Sequence, residues 1–543
     1  MEESGGDASF GQCQLLIEDD TARLSKWKTD AVDSFSRKSK IICTMGPSCW
    51  SVENLCKLID AGMNIARLNF SHGDHAGHGA TVERIREAMK LRPGKNVAIL
   101  LDTKGPEIRT GFFREDVGDK IELVMGQDLK VVTDYSFKGD STCIAVSYDK
   151  LCSAVKPGSM ILCADGSLSL KVKEVGSDFV MTEVQNSIKL GERKNCNLPG
   201  VAVDLPVLQE KDIKDLLEFG IPQGVDFVAA SFVQSAADVK FIRTTLGTKG
   251  RHIKIISKIE NQEGLINFDE ICKETDGVMV ARGDLGMEIP PEKVFLAQKM
   301  MISKCNLWGK PVITATQMLE SMTASPRPTR AEASDVANSV LDGTDCVMLS
   351  GETAGGSFPL EAVTVMRRIC EEAEERIDYA GLYLSMRLTT LHHFGSMEGT
   401  EAMASSAVKT AMELEASVII ALTETGTSAR MIAKYRPACP ILAFSQSEVT
   451  VRQLLCVRGI IPVLTDSFEG TDSVIKKAIA KAKEDGIVKT GNLAICIHGQ
   501  QEDCEELSSP KRVPSRSKRM SMAASSEMMT TGASNLLKIV DVP

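Results

Sequence analysis

The sequence predicts an α/β protein: a (β/α)8 TIM barrel with an inserted small all-β lid domain and a C-terminal open α/β domain. Three observations carry the prediction. From residue 37, eight short β-branched runs alternate with longer helical patterns, as in a parallel barrel. About 120 residues separate the third run from the fourth, far more than one helical crossover needs. After an acidic helical stretch, EAVTVMRRICEEAEERI (361–377), a second α/β run of five strands begins.

The elements follow in order. Residues 1–36 form an N-terminal segment whose start, MEESGGDASFGQ, is acidic and Gly/Ser-rich where a targeting peptide would be basic. The barrel is expected over 37–105 and 207–376, with strands KIICTMG (40–46), MNIARLNF (63–70), NVAILLDTK (96–104), FVAASFV (227–233), IKIISKIE (253–260), GVMVARGD (277–284), PVITATQ (311–317) and CVMLSGE (346–352). The lid is placed at 106–206, where DKIELVMG, CIAVSY, SMILCADG and DFVMTEV carry turn residues at short intervals. The C-terminal domain, 377–543, is expected to hold strands SVIIALTE, CPILAFSQ, GIIPVLTD, NLAICIHG and LLKIVDV, with a polar, Ser-rich flexible insertion at about 500–532.

Composition removes several function classes. A net charge of −10 over 543 residues argues against a nucleic-acid binder, which needs excess Lys and Arg. No apolar run approaches the ~18 residues of a membrane span, so no membrane partner is expected. The 16 cysteines are scattered without a C-x-x-C pair and read as reduced core thiols of a cytoplasmic protein.

Strand alternation puts Lys254, Ile256, Lys258 and Glu260 on one face of IKIISKIE, so two opposite charges close one face of an apolar strand. Polar residues recur at the other strand ends: Arg67, Asn69 and Ser71; Asp102 and Thr103; Ser231; Asp284; Thr316; Glu352. In a barrel these ends form the active-site face. Glu260 and Asp284 are hard oxygen ligands suited to Mg²⁺, with positions left for water and substrate. Arg67 and Lys258 supply the positive charge that a transferring phosphoryl group needs. Asn69, Ser71, Asp102 and Thr103 make an oxygen-rich cluster with a single charge, which could suit a monovalent cation. A single charged strand end could equally be a structural ion pair; its repetition on several strands argues for a site.

The runs RLNFSHGDH (67–75), LLDTKGPEIRTG (100–111), NLPGVAVDLP (197–206), IISKIENQEG (255–264), MVARGDLGMEIP (279–290), TATQMLESM (314–322), PRPTRAEASDVANSVLDGTDCVMLSGETA (326–354) and AKYRP (433–437) are long and specific. They resemble pyruvate kinase over nearly the whole chain. The resemblance implies phosphoryl transfer from phosphoenolpyruvate to ADP, giving pyruvate and ATP, with Mg²⁺ and K⁺ as cofactors. It casts Lys258 and Arg67 on the phosphoryl group, Glu260 and Asp284 as Mg²⁺ ligands, and Asn69, Ser71, Asp102 and Thr103 as K⁺ ligands. Thr316 would orient the proton donor to the enolate, and backbone amides around Gly283 and Asp284 would hold the substrate carboxylate. Arg109, Lys211 and His72 would contact the nucleotide, with a second Mg²⁺ bridging its phosphates. Glu107 resembles the K⁺-dependent branch of the family; a Lys at that position would have replaced the ion's charge. A homotetramer is inherited from the resemblance in the same way.

Outside the barrel, LTETGTSAR (422–430) follows a strand and opens a helix, so Thr423, Thr425, Gly426, Thr427 and Ser428 could cradle a phosphate or form an ordinary capped turn; the resemblance favours a sugar-phosphate effector here. The Trp/Arg/Gly-rich loop of animal-type relatives has no counterpart after CIHG, where acidic QQEDCEE stands. Gly355 occupies a place where some members carry Lys near the nucleotide. Ser515 and Ser521, in the basic run KRVPSRSKRMS, could accept phosphate, or the run is a solvated loop. Two rivals stay open: a Mg²⁺-dependent barrel lyase, which needs no nucleotide residues, and a silent effector sensor, which would have shed its site residues. Gly105-Pro106 and Leu205-Pro206 are the expected lid hinges.

Overall fold

The structure, a computed structural model, describes residues 37–468, 471–500 and 534–543. The expected N-terminal segment and nearly all of the Ser-rich insertion, with Ser515 and Ser521, lie outside the described residues.

Eight parallel strands close into a barrel in sequence order: β1 (Lys40–Thr44), β2 (Ile65–Asn69), β3 (Ala98–Asp102), β4 (Phe227–Ala230), β5 (Lys254–Ile259), β6 (Gly277–Ala281), β7 (Val312–Ala315) and β8 (Cys346–Leu349), with β8 pairing back onto β1. Alternation sorts their side chains. Ile42, Leu100, Phe227, Ile256, Met279 and Met348 pack inside the barrel, while Leu68, Leu101, Val228, Ile255 and Val280 pack outward with the helical layer. The strands stop short of their predicted C-terminal limits. The chain turns helical at Arg282–Glu288 and Gly351–Ala354, and adopts positive φ at Phe232, Thr316 and Gln317. Ser71, Thr103, Ser231, Glu260 and Thr316 therefore sit on loops, and Asp284 and Glu352 in short helices, at the barrel mouth rather than in the strands.

The connection between β3 and β4 carries a seven-stranded sheet and a two-stranded ribbon around their own core, which includes Leu123, Val131, Tyr148, Leu170 and Val180. The four predicted runs correspond to Lys120–Leu123, Cys143–Ala145, Met160–Cys163 and Phe179–Val184. Sequence reading overlooks the short strands Ile108–Arg109 and Asn195–Asn197 at the two crossings, because two or three residues show no period.

The C-terminal sheet runs β11-β10-β9-β12-β13, with β9 (Val418–Leu422), β10 (Ile441–Ser445), β11 (Ile460–Leu464), β12 (Leu493–Gln500) and an antiparallel β13 (Ser534–Asp541). It docks on the barrel's N-terminal face. Arg436 pairs with Asp345, which precedes β8, at 3.0 Å; Arg452 pairs with Asp226, which precedes β4, at 2.9 Å. The opposite face of the barrel is left to the lid.

Candidate active site

The strand-end residues converge. Arg67, 8% exposed, donates from Nε to Asp102 Oδ2 at 2.6 Å and from Nη1 to Thr44 Oγ1 at 3.0 Å. Lys258 Nζ donates to Ser231 Oγ at 2.8 Å and stands 2.9 Å from Glu260 Oε1 and 3.1 Å from Asp102 Oδ1. Burial alone would favour a neutral amine, yet Asp102 and Glu260 more than offset it and hold the ammonium well above its usual range. The result is a fixed, buried cation at the barrel mouth.

Glu260 is buried, its Oε2 accepting from the Phe232 amide at 2.7 Å. Burial pushes its carboxyl up to about 7 despite Lys258, with Asp284 adding to the rise. Asp284 is likewise raised, first by burial. Glu260 and Asp284 are close enough to perturb each other, and with Lys258 as the cation acting on both they are short of positive charge, a deficit that a divalent cation fits. Among the described residues no three His, Cys, Asp or Glu converge on one point, so the protein offers two carboxylates and leaves the remaining positions to water and substrate oxygens, as Mg²⁺ prefers.

On the other side of Lys258, Asn69 and Asp102 are register partners on β2 and β3. Asn69 Oδ1 accepts from the Ser71 amide at 3.1 Å, and Thr103 Oγ1 accepts from the Ser231 amide at 3.1 Å. Asp102 Oδ1 is buried without a hydrogen-bond partner, since Lys258 approaches it off-line. A carboxylate oxygen with an ion pair but no hydrogen bond, beside an amide and two hydroxyl residues, fits a monovalent cation.

Thr316 holds φ +75°, which is rare for a β-branched residue. Arg282 pins it there, donating from Nη2 to the Thr316 carbonyl at 2.7 Å and from Nε to the Ala315 carbonyl at 3.1 Å. Gly283 lies against Thr316, where a Cβ would come within 2.8 Å of Thr316 Cγ2.

The three residues expected at a nucleotide stand apart from this cluster. Arg109, on the lid, is clasped by Glu107 at 2.5–2.8 Å, and Lys211 by Asp215 at 2.6 Å. His72 is exposed, its carbonyl accepting from His78 Nε2 at 2.9 Å. His75 goes to Asp215 and His78 stacks on Phe70, so His72, His75 and His78, though three residues apart, gather no metal set. Arg193 and Lys194, exposed beside Arg109 across the crossing strands, add positive charge that sequence reading passed over.

Asp212 also escaped notice. Its Oδ1 accepts from the Lys104 and Gly105 amides at 3.1 and 3.2 Å, and its Oδ2 from the Gln209 amide at 2.9 Å, tying the two lid crossings together. Gly105 itself has φ +69°, and a Cβ there would meet Ser231 Cβ at 2.7 Å. Its glycine is required by the close approach.

In the C-terminal sheet, β9 is flanked by β10 and β12, so the chain's connections diverge at its end, the kind of crevice where open sheets bind ligands. Thr423, Thr425, Gly426, Thr427 and Ser428 lie there. Thr423 Oγ1 accepts from the Gly426 amide at 3.0 Å, Thr425 and Thr427 hydroxyls are 3.0 Å apart, and Gly426 with φ +81° opens helix Thr427–Lys434.

Comparison with known proteins matches this architecture. Residues 36–363 fit the profile of the pyruvate kinase barrel domain and residues 401–508 that of the pyruvate kinase alpha/beta domain. The chain belongs to the pyruvate kinase family. It is 61% identical over 499 residues to a pyruvate kinase of Eimeria tenella, covering 91% of this chain and 93% of the relative, and 46% identical over 510 residues to one of Homo sapiens, covering 91% and 88%. Among solved structures, a pyruvate kinase of Cryptosporidium parvum in complex with ADP superposes with a TM-score of 0.81 at 50% identity, covering 96% of this chain and 98% of the other. Pyruvate kinases are phosphotransferases that need a divalent metal and a monovalent cation. No helix among the described residues is long and apolar enough to cross a membrane.

Proposed function

We propose that the buried cluster around Lys258 carries out the family's reaction, transfer of the phosphoryl group of phosphoenolpyruvate to ADP, giving pyruvate and ATP in the last step of glycolysis. The observation that carries this reading is the Lys258 ammonium, fixed by Ser231, Asp102 and Glu260 at the mouth of the barrel. A preorganised cation there stabilises charge on the phosphoryl group in flight without rearranging during transfer. Arg67, locked by Asp102 and Thr44, adds a second fixed charge.

Glu260 and Asp284 would hold Mg²⁺; Asn69, Ser71, Asp102 and Thr103 would hold K⁺. Held by these residues, the metals would supply positive charge to offset that on phosphoryl and enolate oxygens. Gly283 and Asp284 amides, at the first turn of their helix, receive the substrate carboxylate. Thr316, held in place by Arg282, orients the donor that protonates the enolate. Arg109 and Lys211 exchange their carboxylate partners for nucleotide phosphates, with His72 beside them, and Lys194 extends this charge. Lid closure excludes water, which strengthens these electrostatics and prevents hydrolysis. The loop Thr423–Ser428 receives the phosphate of a sugar-phosphate effector.

The chain works in the cytoplasm, as do relatives such as the soybean and potato isozymes called cytosolic. It assembles as a homotetramer, for which exposed Phe295, Leu296, Leu384 and Leu388 supply apolar contact surface. The test is a divalent-metal titration of turnover in Glu260→Gln and Asp284→Asn. Both should need far more metal for half-maximal activity. An unchanged requirement with full turnover would remove these carboxylates from the site.

A further inference from the structure

Glu352 differs from the other charged strand-end residues in having no part in the reaction proposed above. It belongs to SGETA, just past β8, where the chain turns helical over Gly351–Ala354, and it is fully buried. A buried carboxylate is costly unless its oxygens are hydrogen-bonded. Among the described residues no Lys, Arg or His pairs with this one; both of its oxygens go to backbone amides. Oε2 accepts from the Ser350 amide at 2.6 Å, within its own loop, and Oε1 reaches across to the Leu319 amide on the β7 loop at 3.1 Å.

That second amide lies just beyond Thr316 on the same loop. Thr316 and Gln317 both adopt positive φ, +75° and +54°, and backbone so unfavourable for residues with a Cβ persists only where its surroundings over-determine it. Arg282 holds the near end of the pair through the Ala315 and Thr316 carbonyls. At the far end follow Met318 and Leu319, both fully buried, with the Leu319 amide fixed by Glu352. The strained pair is thus gripped from two sides, by a cation from the β6 loop and an anion from the β8 loop.

We infer that Glu352 is a positioning residue for protonation of the enolate: together with Arg282 it sets where the Thr316 hydroxyl stands, without touching substrate. This rests on the role given to Thr316 in the proposed reaction. Run in reverse, that step breaks a methyl C–H bond of pyruvate. The proton goes to the donor that Thr316 orients, and the electron pair forms the C=C bond of the enolate as the carbonyl pair moves onto oxygen. Return of a deuteron from D₂O then labels the methyl group.

The test is Glu352→Gln, which matches the shape but sets an NH₂ group against one of the two amides, so that the longer contact, to Leu319, gives way. Amide hydrogen exchange over residues 315–322 should quicken, and deuterium entry into the pyruvate methyl group, followed by NMR with Mg²⁺, K⁺ and ATP, should slow about tenfold. Phosphoenolpyruvate binding in a calorimeter should stay within about twofold. Placed on Thr316→Val, the same change should slow the residual methyl exchange no further, because Glu352 acts through Thr316, whereas a general loosening of the fold would add its own loss. Glu352→Asp keeps the charge but withdraws the carboxylate from Leu319; it should behave likewise and serves where the Gln variant does not fold. Native amide protection in a folded variant, native methyl exchange despite lost protection, or additive losses in the double variant would overturn the inference. A native chain that forms no pyruvate fails the phosphotransferase reading and this role with it; an active chain with any of those three results fails the inference alone.

Discussion

Replacing Gly283 by alanine strikes the catalytic mouth at one methyl group. The new Cβ would lie 2.8 Å from Thr316 Cγ2, well inside the 3.4–4 Å of ordinary contact. Thr316 cannot yield by rotating its backbone, since Arg282 grips both the Ala315 and Thr316 carbonyls and φ is already +75°. Relief must come from moving the first turn of Arg282–Glu288, which also carries Asp284. Such overpacking costs roughly 1–3 kcal/mol of stability. A displacement approaching 1 Å at a reacting centre costs up to about 10²-fold in rate. Gly283→Ala should therefore melt at a lower temperature and lose roughly tenfold to 10²-fold in kcat for pyruvate formation, in a coupled assay at saturating substrates. A variant with native melting and kcat within about twofold would refute the packing of Gly283 on Thr316 and the role given to Thr316.

Four further outcomes are expected. Lys258→Met should lose about 10²–10³ in kcat, the usual cost of one preorganised electrostatic group, while still binding phosphoenolpyruvate in a calorimeter; near-native turnover would exclude it from the chemistry. Asp212→Ala unties Lys104, Gly105 and Gln209 at the lid crossings, so proteolysis should cut there faster and kcat should fall, whereas native protease resistance would deny the clasp. Glu107→Lys should weaken the K⁺ requirement and, by freeing Arg109, change the KM for ADP; unchanged values of both would count against the pairing and the cation assignment.

The fourth concerns pH. Burial would raise the Glu374 carboxyl, but Arg458 and Lys38 together with the Ser39 and Lys38 amides hold it below its ordinary 4.5. A depressed folded value contributes stability above pH 4.5 that is lost as pH falls through the folded value. Melting of Glu374→Gln should thus trail the native chain most at neutral pH, with the gap closing below pH 4.5; a constant gap would exclude this linkage.

Much of the site was legible because it follows strand alternation. Lys258 lies on β5 and Glu260 just past its end, and their side chains meet at 2.9 Å as the two-residue spacing suggests; the same period brings Arg67 and Asn69 to one side of β2. The eight strands and the β insertion were legible from spacing and turn residues. Asp284 and Thr316 were identified at the right place but on the wrong element, since a helix start and positive φ are set by packing that alternation does not encode. Arg282 and Asp212 were illegible for a further reason: the carbonyls and amides they hold come from segments distant in sequence. Glu107 and Arg109 are two residues apart with opposite charge, a pairing signal that sequence reading set aside for a cation role.

The most direct measurement is pyruvate formation from phosphoenolpyruvate and ADP with Mg²⁺, in K⁺ and again with K⁺ replaced by a bulky organic cation. Strong activity in K⁺, largely lost in the organic cation, is the predicted result and would place phosphoryl transfer at the charges that close β5. Folded protein that forms no pyruvate under either condition would contradict the account.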